Sequence, residues 1–369
     1  MSNLILNSLE IRNFRAFEHL QIERLGRVNL IVGKNNVGKT SLLEAIQLYA
    51  SRGAPLLIWE ILGRREEGRL RYSDHRVNIE ELLTALKYLF YGRREVMSYF
   101  DPIQVGSMNL SETALSLSVG MYTRQVDEEG KRQWRLLQPE EYDLADSPAP
   151  RLTVQIDGKV SISYQLDNTL SPRLLTSEIK EINSVFSVAN GLTKRQISEL
   201  WDNIALTNLE KDVLEALRII APGVEGINLV SDTPVSRDRI PIVKIRSINE
   251  PLPLRSLGDG MQRVLGIVLA LVNARDGILL IDEFENGIHY SAQPDLWHLI
   301  FRVANHLNVQ VFVTTHSWDC VEAFQQATQE NTQNEGLLIR LENKKGKLVA
   351  TTFDEERLAV ITREQIEVR

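Results

Sequence analysis

The segment Gly33-Lys34-Asn35-Asn36-Val37-Gly38-Lys39-Thr40 has glycines and a closing Lys-Thr at the spacing of a phosphate-binding loop. Its flanks fit that reading. An apolar, β-rich run, Val28 to Val32, precedes it, and a good helix former, Ser41-Leu42-Leu43-Glu44-Ala45-Ile46, follows. The glycines let the backbone curl so that successive N–H groups point at a phosphate, and the following helix adds its positive end. Lys39 is expected to reach the β- and γ-phosphates, and the Thr40 hydroxyl to hold Mg²⁺. The expectation is a chain that binds a nucleoside triphosphate.

At 369 residues, 43% of them hydrophobic and 25% charged, the chain can bury a large core of ordinary globular kind. A net charge of −7 gives no overall basic footprint, so any DNA contact is expected through a local patch or a partner. Arginine doublets such as Arg64-Arg65 and Arg93-Arg94 are expected on solvated faces. The single cysteine, Cys320, excludes an internal disulfide. Met1-Ser2-Asn3-Leu4 lacks the blocks of a signal peptide, and no apolar run approaches a membrane span, so a cytoplasmic protein is expected.

Two strands are expected over 4–32, from Leu4 to Phe14 and from Leu20 to Val32 with a break at Gly26, then a helix to about Tyr49. Residues 55–106 read as a helical insertion, 107–165 as an antiparallel β segment and 166–224 as a helical lobe. The nucleotide-binding core is expected in 1–54 and 225–369, all within one discontinuous head. Near the end, strands at 277–282 and 309–314 alternate with helices at about 291–307 and 317–328. They are short and apolar, as buried parallel strands are.

The strand Ile278-Leu279-Leu280-Ile281 ends in Asp282-Glu283. The first acid is placed to support Mg²⁺ and the second to act as general base toward water. Thr314-Thr315-His316-Ser317 closes the next strand; if the two strands are parallel neighbours, His316 shares the carboxyl edge with Glu283, where it can contact a γ-phosphate. Ser256-Leu257-Gly258-Asp259-Gly260 opens a long apolar helix and offers donors at a second helix start.

These motifs in this order resemble the ABC-type ATPase superfamily, and most of all its branch with RecF, the SMC heads and the OLD-family ATPases. Leu9-Glu10-Ile11-Arg12-Asn13-Phe14-Arg15-Ala16-Phe17 resembles that branch's opening strand, and Glu285-Asn286-Gly287-Ile288-His289 its D-loop, with Gly287 in place of proline. The resemblance implies an α/β fold: a P-loop head with a mixed or parallel core sheet, an antiparallel β subdomain and an inserted helical lobe. It implies nucleotide contacts from Gly33 through Ser41 and from Arg15, metal support from Thr40 and Asp282, and catalysis by Glu283, His316 and Lys39. Ser256, Gly258, Asp259 and Gly260 would form a signature motif acting across a homodimer, or a higher oligomer of dimers. Gln104 and Gln125 stand as alternatives for the glutamine loop.

Residues 41–255 lack the long heptads of SMC arms, and the stretch after His316 lacks the clustered acids of a TOPRIM nuclease. The pattern resembles compact ATPases of bacterial two-gene defence modules, which implies ATP and Mg²⁺ as cofactors and a separate TOPRIM-like nuclease or toxin as effector. A RecF-like DNA-binding ATPase and a nucleotide-binding scaffold with little turnover are the competing readings.

Overall fold

Short, wholly buried strands determine the architecture. A computed structural model of the protein describes residues 4–67, 79–93, 101–108, 114–126, 132–166, 180–232, 238–330 and 336–364. The chain opens with β1 (Leu9–Phe14), β2 (Phe17–Ile22), β3 (Val28–Val32) and, directly after the phosphate loop, α1 (Lys39–Ala50). Then come α2 (Pro55–Arg64), α3 (Ile79–Leu86), β4 (Ile103–Gly106), β5 (Leu115–Val126), β6 (Arg132–Leu136), β7 (Ala149–Ile156) and β8 (Lys159–Gln165). The middle holds β9 (Ser184–Ser187), α4 (Lys194–Asp202), α5 (Leu209–Ile220), β10 (Val224–Ser231), β11 (Arg239–Ile245) and β12 (Leu252–Pro253). The last part runs α6 (Asp259–Asn273), β13 (Ile278–Ile281), α7 (Gln293–His306), β14 (Gln310–Thr314), α8 (Trp318–Glu330), β15 (Gly336–Lys344), β16 (Lys347–Phe353) and α9 (Glu355–Arg363).

The central sheet has the order β16-β15-β3-β14-β13-β9. Its strands are parallel except for the edge hairpin β15–β16. Successive side chains leave a strand on opposite faces, and the burial obeys this strictly. Val28, Leu30, Val32, Leu279, Ile281, Val311 and Val313 pack into a core formed with α5, α6, α7 and α8. Ile31, Ile278, Leu280 and Phe312 face the opposite core, beside α1. A parallel sheet needs both faces covered, and these two cores cover it. On the first face Phe284 stacks on Trp297 at 4.4 Å, and Phe324 meets Trp297 edge-on at 5.0 Å.

The second core is closed by an antiparallel sheet, β2-β1-β4-β5-β7-β8, with β6 on β5. A third sheet, β10-β11-β12, packs beside α4 and α5. Together these elements form an α/β P-loop head with a largely parallel core sheet and antiparallel β segments.

Several elements depart from the sequence reading. Residues 4–32 form three strands: left-handed backbone angles at Asn13 and Arg15 turn the chain between β1 and β2, and the break expected at Gly26 divides the second stretch into β2 and β3, with residues 23–27 between them. Within the stretch read as a helical lobe, Ser184–Ser187 is instead the edge strand beside β13. Within the stretch read as a helical insertion, Ile103–Gly106 is a strand paired with β1. The hairpin β15–β16 was not expected at all. Residues 68–78, 94–100 and 167–179, on which parts of those readings fall, lie outside the described residues. Among the described residues no helix is long and apolar enough to cross a membrane.

Candidate functional site

The phosphate loop joins β3 to α1. Gly33 and Gly38 take φ of +149° and +88°, and Asn36 takes +64°, so the loop curls as the glycine spacing anticipates. A Cβ on Gly38 would lie 2.9 Å from the Phe17 ring, so the turn after β1 presses directly on the loop. The Lys39 ammonium donates to the carbonyls of Gly33 (2.8 Å) and Lys34 (3.1 Å), folding the side chain over the loop. Burial holds its pKa below the ordinary lysine value, against the opposing pull of Asp282, Glu283 and Glu285.

Register brings the acids to this loop. Ile281 pairs with Val313, and Val313 with Leu30, so the carboxyl ends of β13, β14 and β3 lie side by side. This edge is where ligands bind in open parallel sheets. Thr40 Oγ1 donates to Asp282 Oδ2 at 3.0 Å. Glu283 takes φ +48°, and its Oε2 accepts from Asn286 Nδ2 at 2.7 Å. His316 Nδ1 lies 2.9 Å from Glu285 Oε1, and the other Glu285 oxygen accepts from the Thr315 hydroxyl at 2.7 Å.

A cleft of about 710 Å³ collects these groups. Asn35, Asn36, Gly38, Lys39, Thr40, Ser41, Asp282, Glu283 and His316 line it together with Arg15. Its volume falls in the range of small-molecule sites. Gly33, Lys34 and Val37 belong to the loop without lining the cleft. Arg15 is almost wholly buried, with Nε 2.9 Å from Glu44 and Nη1 2.7 Å from Glu67. Burial raises the pKa of Glu44, while Arg15 and Arg65 oppose that rise. Of the Arg64-Arg65 doublet, expected on a solvated face, Arg65 is exposed and Arg64 half-buried, and both are held by polar side chains of α1. Arg65 forks onto Glu44 at 2.9 and 3.0 Å, and Arg64 reaches Gln47 at 2.8 Å.

The signature segment stands apart. Ser256, Gly258 and Asp259 are exposed, Gly260 is half-buried, and none of them lines the cleft. Neither glutamine candidate lines it either. Gln104 sits in β4 opposite Arg12, and Gln125 in β5 opposite Gln133.

Three site residues escaped the sequence reading. Thr314 Oγ1 donates to Asp282 and accepts from the Glu283 N–H. Glu285 orients His316. Arg263, on α6, is buried and donates to the backbone carbonyls of Asp282 and Glu283. Only Thr314 left a signal, as a hydroxyl closing an apolar strand beside the acids.

Among the described residues no group of three or more His, Cys, Asp or Glu side chains forms a ready-made metal cage. The Thr40 hydroxyl and the Asp282 carboxylate offer two hard oxygen donors beside the phosphate loop. That set suits Mg²⁺, which takes its other ligands from phosphate and water.

Residues 196–319 match a family described as "AAA domain, putative AbiEii toxin, Type IV TA system", and residues 4–83 match "AAA ATPase domain". An ATP/GTP phosphatase of Helicobacter pylori is 24% identical over 358 residues, covering 88% of this chain and 89% of that protein. The DNA replication and repair protein RecF of Pseudoalteromonas translucida is 30% identical over 140 residues, 38% of this chain and 34% of RecF. Among solved structures, the SMC head domain from Thermotoga maritima aligns over 94% of this chain and 98% of its own, at 12% identity and a TM-score of 0.43.

Proposed function

From the premise that this chain is an ABC-type ATPase of the RecF/SMC type, we propose that it hydrolyses ATP with Mg²⁺ as a facing pair of chains and thereby switches a separate effector. The observation that carries this reading is the meeting of Lys39, Thr40, Asp282, Glu283 and His316 in one cleft.

Each group has work that its geometry suits. Lys39 exchanges the Gly33 and Lys34 carbonyls for phosphate oxygens. Thr40 and Asp282 would hold Mg²⁺, which would supply neutralising charge to the phosphates. Glu283, steadied by Asn286, accepts the proton of the attacking water. Glu285 fixes the ring of His316 so that its edge meets the γ-phosphate. Arg15 stands at the cleft wall paired with Glu44 and Glu67, and would meet a phosphate only by leaving one of those carboxylates.

Ser256, Gly258 and Asp259 are exposed and away from this chain's own cleft, which favours their acting on the triphosphate of a second copy. Closing two copies on ATP and parting them after hydrolysis makes a two-state switch. The toxin–antitoxin wording of the matched family supports a toxin–antitoxin setting; a nuclease effector and a role in anti-phage defence rest on the resemblance of the motifs to two-gene defence modules. The similarity to RecF favours a second reading, in which the ATP-bound pair clamps DNA; the net charge of −7 weighs against it.

Phosphate release per chain, measured across chain concentrations with and without Ser256→Arg, tests the shared site. The rate per chain should rise with concentration, and the arginine should abolish that rise. A rate indifferent to both removes the shared site. DNA affinity of the lone chain that falls steeply with salt would move the reading to DNA clamping.

A further inference from the structure

We propose that Arg263 is a positioning residue that ties each chain's signature segment to that same chain's catalytic acids, and so couples the two nucleotide sites of a facing pair. The proposal rests on the shared-site reading above and adds the link between the sites.

Arg263 lies in the second turn of α6, five residues after Gly258, and only 6% of it is exposed. Its Nη2 donates to the carbonyls of Asp282 at 2.7 Å and Glu283 at 2.9 Å. Its Nη1 donates to the carbonyl of Val188 at 2.7 Å. One guanidinium therefore grips the backbone at both catalytic acids and the loop that leaves β9. A buried cation is tolerated only where such bonds replace its water.

A second contact lies in the first turn of the same helix. A Cβ on Gly260 would come within 2.7 Å of the Gly287 carbonyl, so the helix start sits directly on the turn that follows the acids. Gly287 itself takes φ +74°, which a proline there could not adopt. From Val264 to Val272 every residue of α6 is buried, so the helix has little freedom to absorb a displacement at its start.

The two ends of this linkage serve different nucleotides. The exposed signature residues reach the triphosphate bound by the partner, whereas Glu283 acts in its own chain's cleft. When the partner's triphosphate draws on the signature turn, the pull passes through Arg263 to the carbonyl of Glu283. There the backbone stands at φ +48°, a setting that a small rotation of the peptide alters. The acid of one site is thus set by occupancy of the other.

The experiment compares wild type, Arg263→Gln and Arg263→Lys in three measurements: initial ATPase rate against ATP concentration, binding of a fluorescent ATP analogue to dilute single chains, and thermal unfolding. Wild type should show a Hill coefficient above 1, with two sites as its ceiling. Arg263→Gln should bring it to about 1 and lower kcat by about tenfold or more, with single-chain affinity changed less than about threefold, as for an interaction absent from ground-state binding. Arg263→Lys keeps the charge with one donor group and should fall between the two. If the glutamine variant unfolds, Arg263→Lys and Gly260→Ala carry the test, each with a reduced Hill coefficient. The proposal is overturned if folded variants keep the wild-type coefficient, whatever happens to kcat. It is also overturned if single-chain affinity collapses with turnover, or if wild type has a coefficient of 1 while its rate still rises with chain concentration. A wild-type rate per chain independent of concentration would instead remove the facing pair itself.

Discussion

The Thr314 hydroxyl donates a 2.6 Å hydrogen bond to Asp282 Oδ1 and accepts one of 2.9 Å from the Glu283 N–H. A single buried side chain on β14 therefore sets the two acids that follow β13. Thr314→Val keeps the shape and removes both bonds, leaving a buried N–H and a carboxylate oxygen without that partner. Stability should fall by about 1.5–3 kcal/mol, the usual range for bonds to charged groups. The Mg²⁺ concentration needed for half-maximal turnover should rise several-fold. Denaturant titration and a Mg²⁺ titration of ATPase activity check the two effects.

Glu283→Gln should slow turnover roughly 10²- to 10⁴-fold, the usual weight of a positioned base. The amide still fills the space and still bonds to Asn286, so nucleotide affinity should change little. ATP with Mg²⁺ should then trap a pair of chains that size-exclusion chromatography with light scattering detects. A variant that neither loses turnover nor accumulates the pair would remove Glu283 from the base role.

Nucleotide affinity should decline toward alkaline pH. In the free chain, burial holds Lys39 below the lysine value of 10.5, while phosphate charge raises it in the complex. Between those two values the free ammonium has lost its proton and binding must take one up, so affinity falls as pH rises. Stability of the nucleotide-free fold runs the other way and rises with pH. Charged Lys39 is a cost to the nucleotide-free fold at neutral pH, and the cost lifts as pH climbs toward 10.5. Lys39→Arg stays protonated and should flatten the alkaline limb of the affinity curve, measured by calorimetry from pH 7 to 10.

Gly33→Ala should damage the loop more than an exposed glycine substitution would. At φ +149° the added methyl is strained, and it falls against the Leu341 carbonyl and within 2.9 Å of Val37 Cγ2. Stability should drop by about 1–3 kcal/mol. Fluorescent-nucleotide titration should show affinity falling with it. Unchanged binding would mean that β15 yields readily to the loop.

The parts legible in the sequence are those whose chemistry is local. The phosphate loop needs glycines at set spacings along one stretch of backbone, so Gly33, Gly38, Lys39 and Thr40 announce it. Asp282 and His316 were readable because each closes a short apolar strand, and parallel pairing does the rest. Strand β9 was hidden: four residues, two of them serine, carry too little pattern to outweigh the helical sequence around them. Strand β15 mixes Leu337, Leu338 and Ile339 with Arg340, Glu342 and Lys344, and its apolar half makes sense only against β3. Arg263 reads as one polar residue in an apolar helix; its value lies in carbonyls nineteen and twenty residues away. Glu285 reads only as part of a turn, since nothing in its neighbours names His316 as its partner.

The strand that launches the phosphate loop lies between two strands made far later in the chain. Val28 pairs with Gly336 on one side, and Val311 pairs with it on the other. During synthesis at roughly 5–20 residues per second, β3 must wait tens of seconds for its neighbours to leave the ribosome. Until then its apolar face is a natural client for chaperones, and a truncated transcript ending before β15 would yield a chain unable to hold nucleotide.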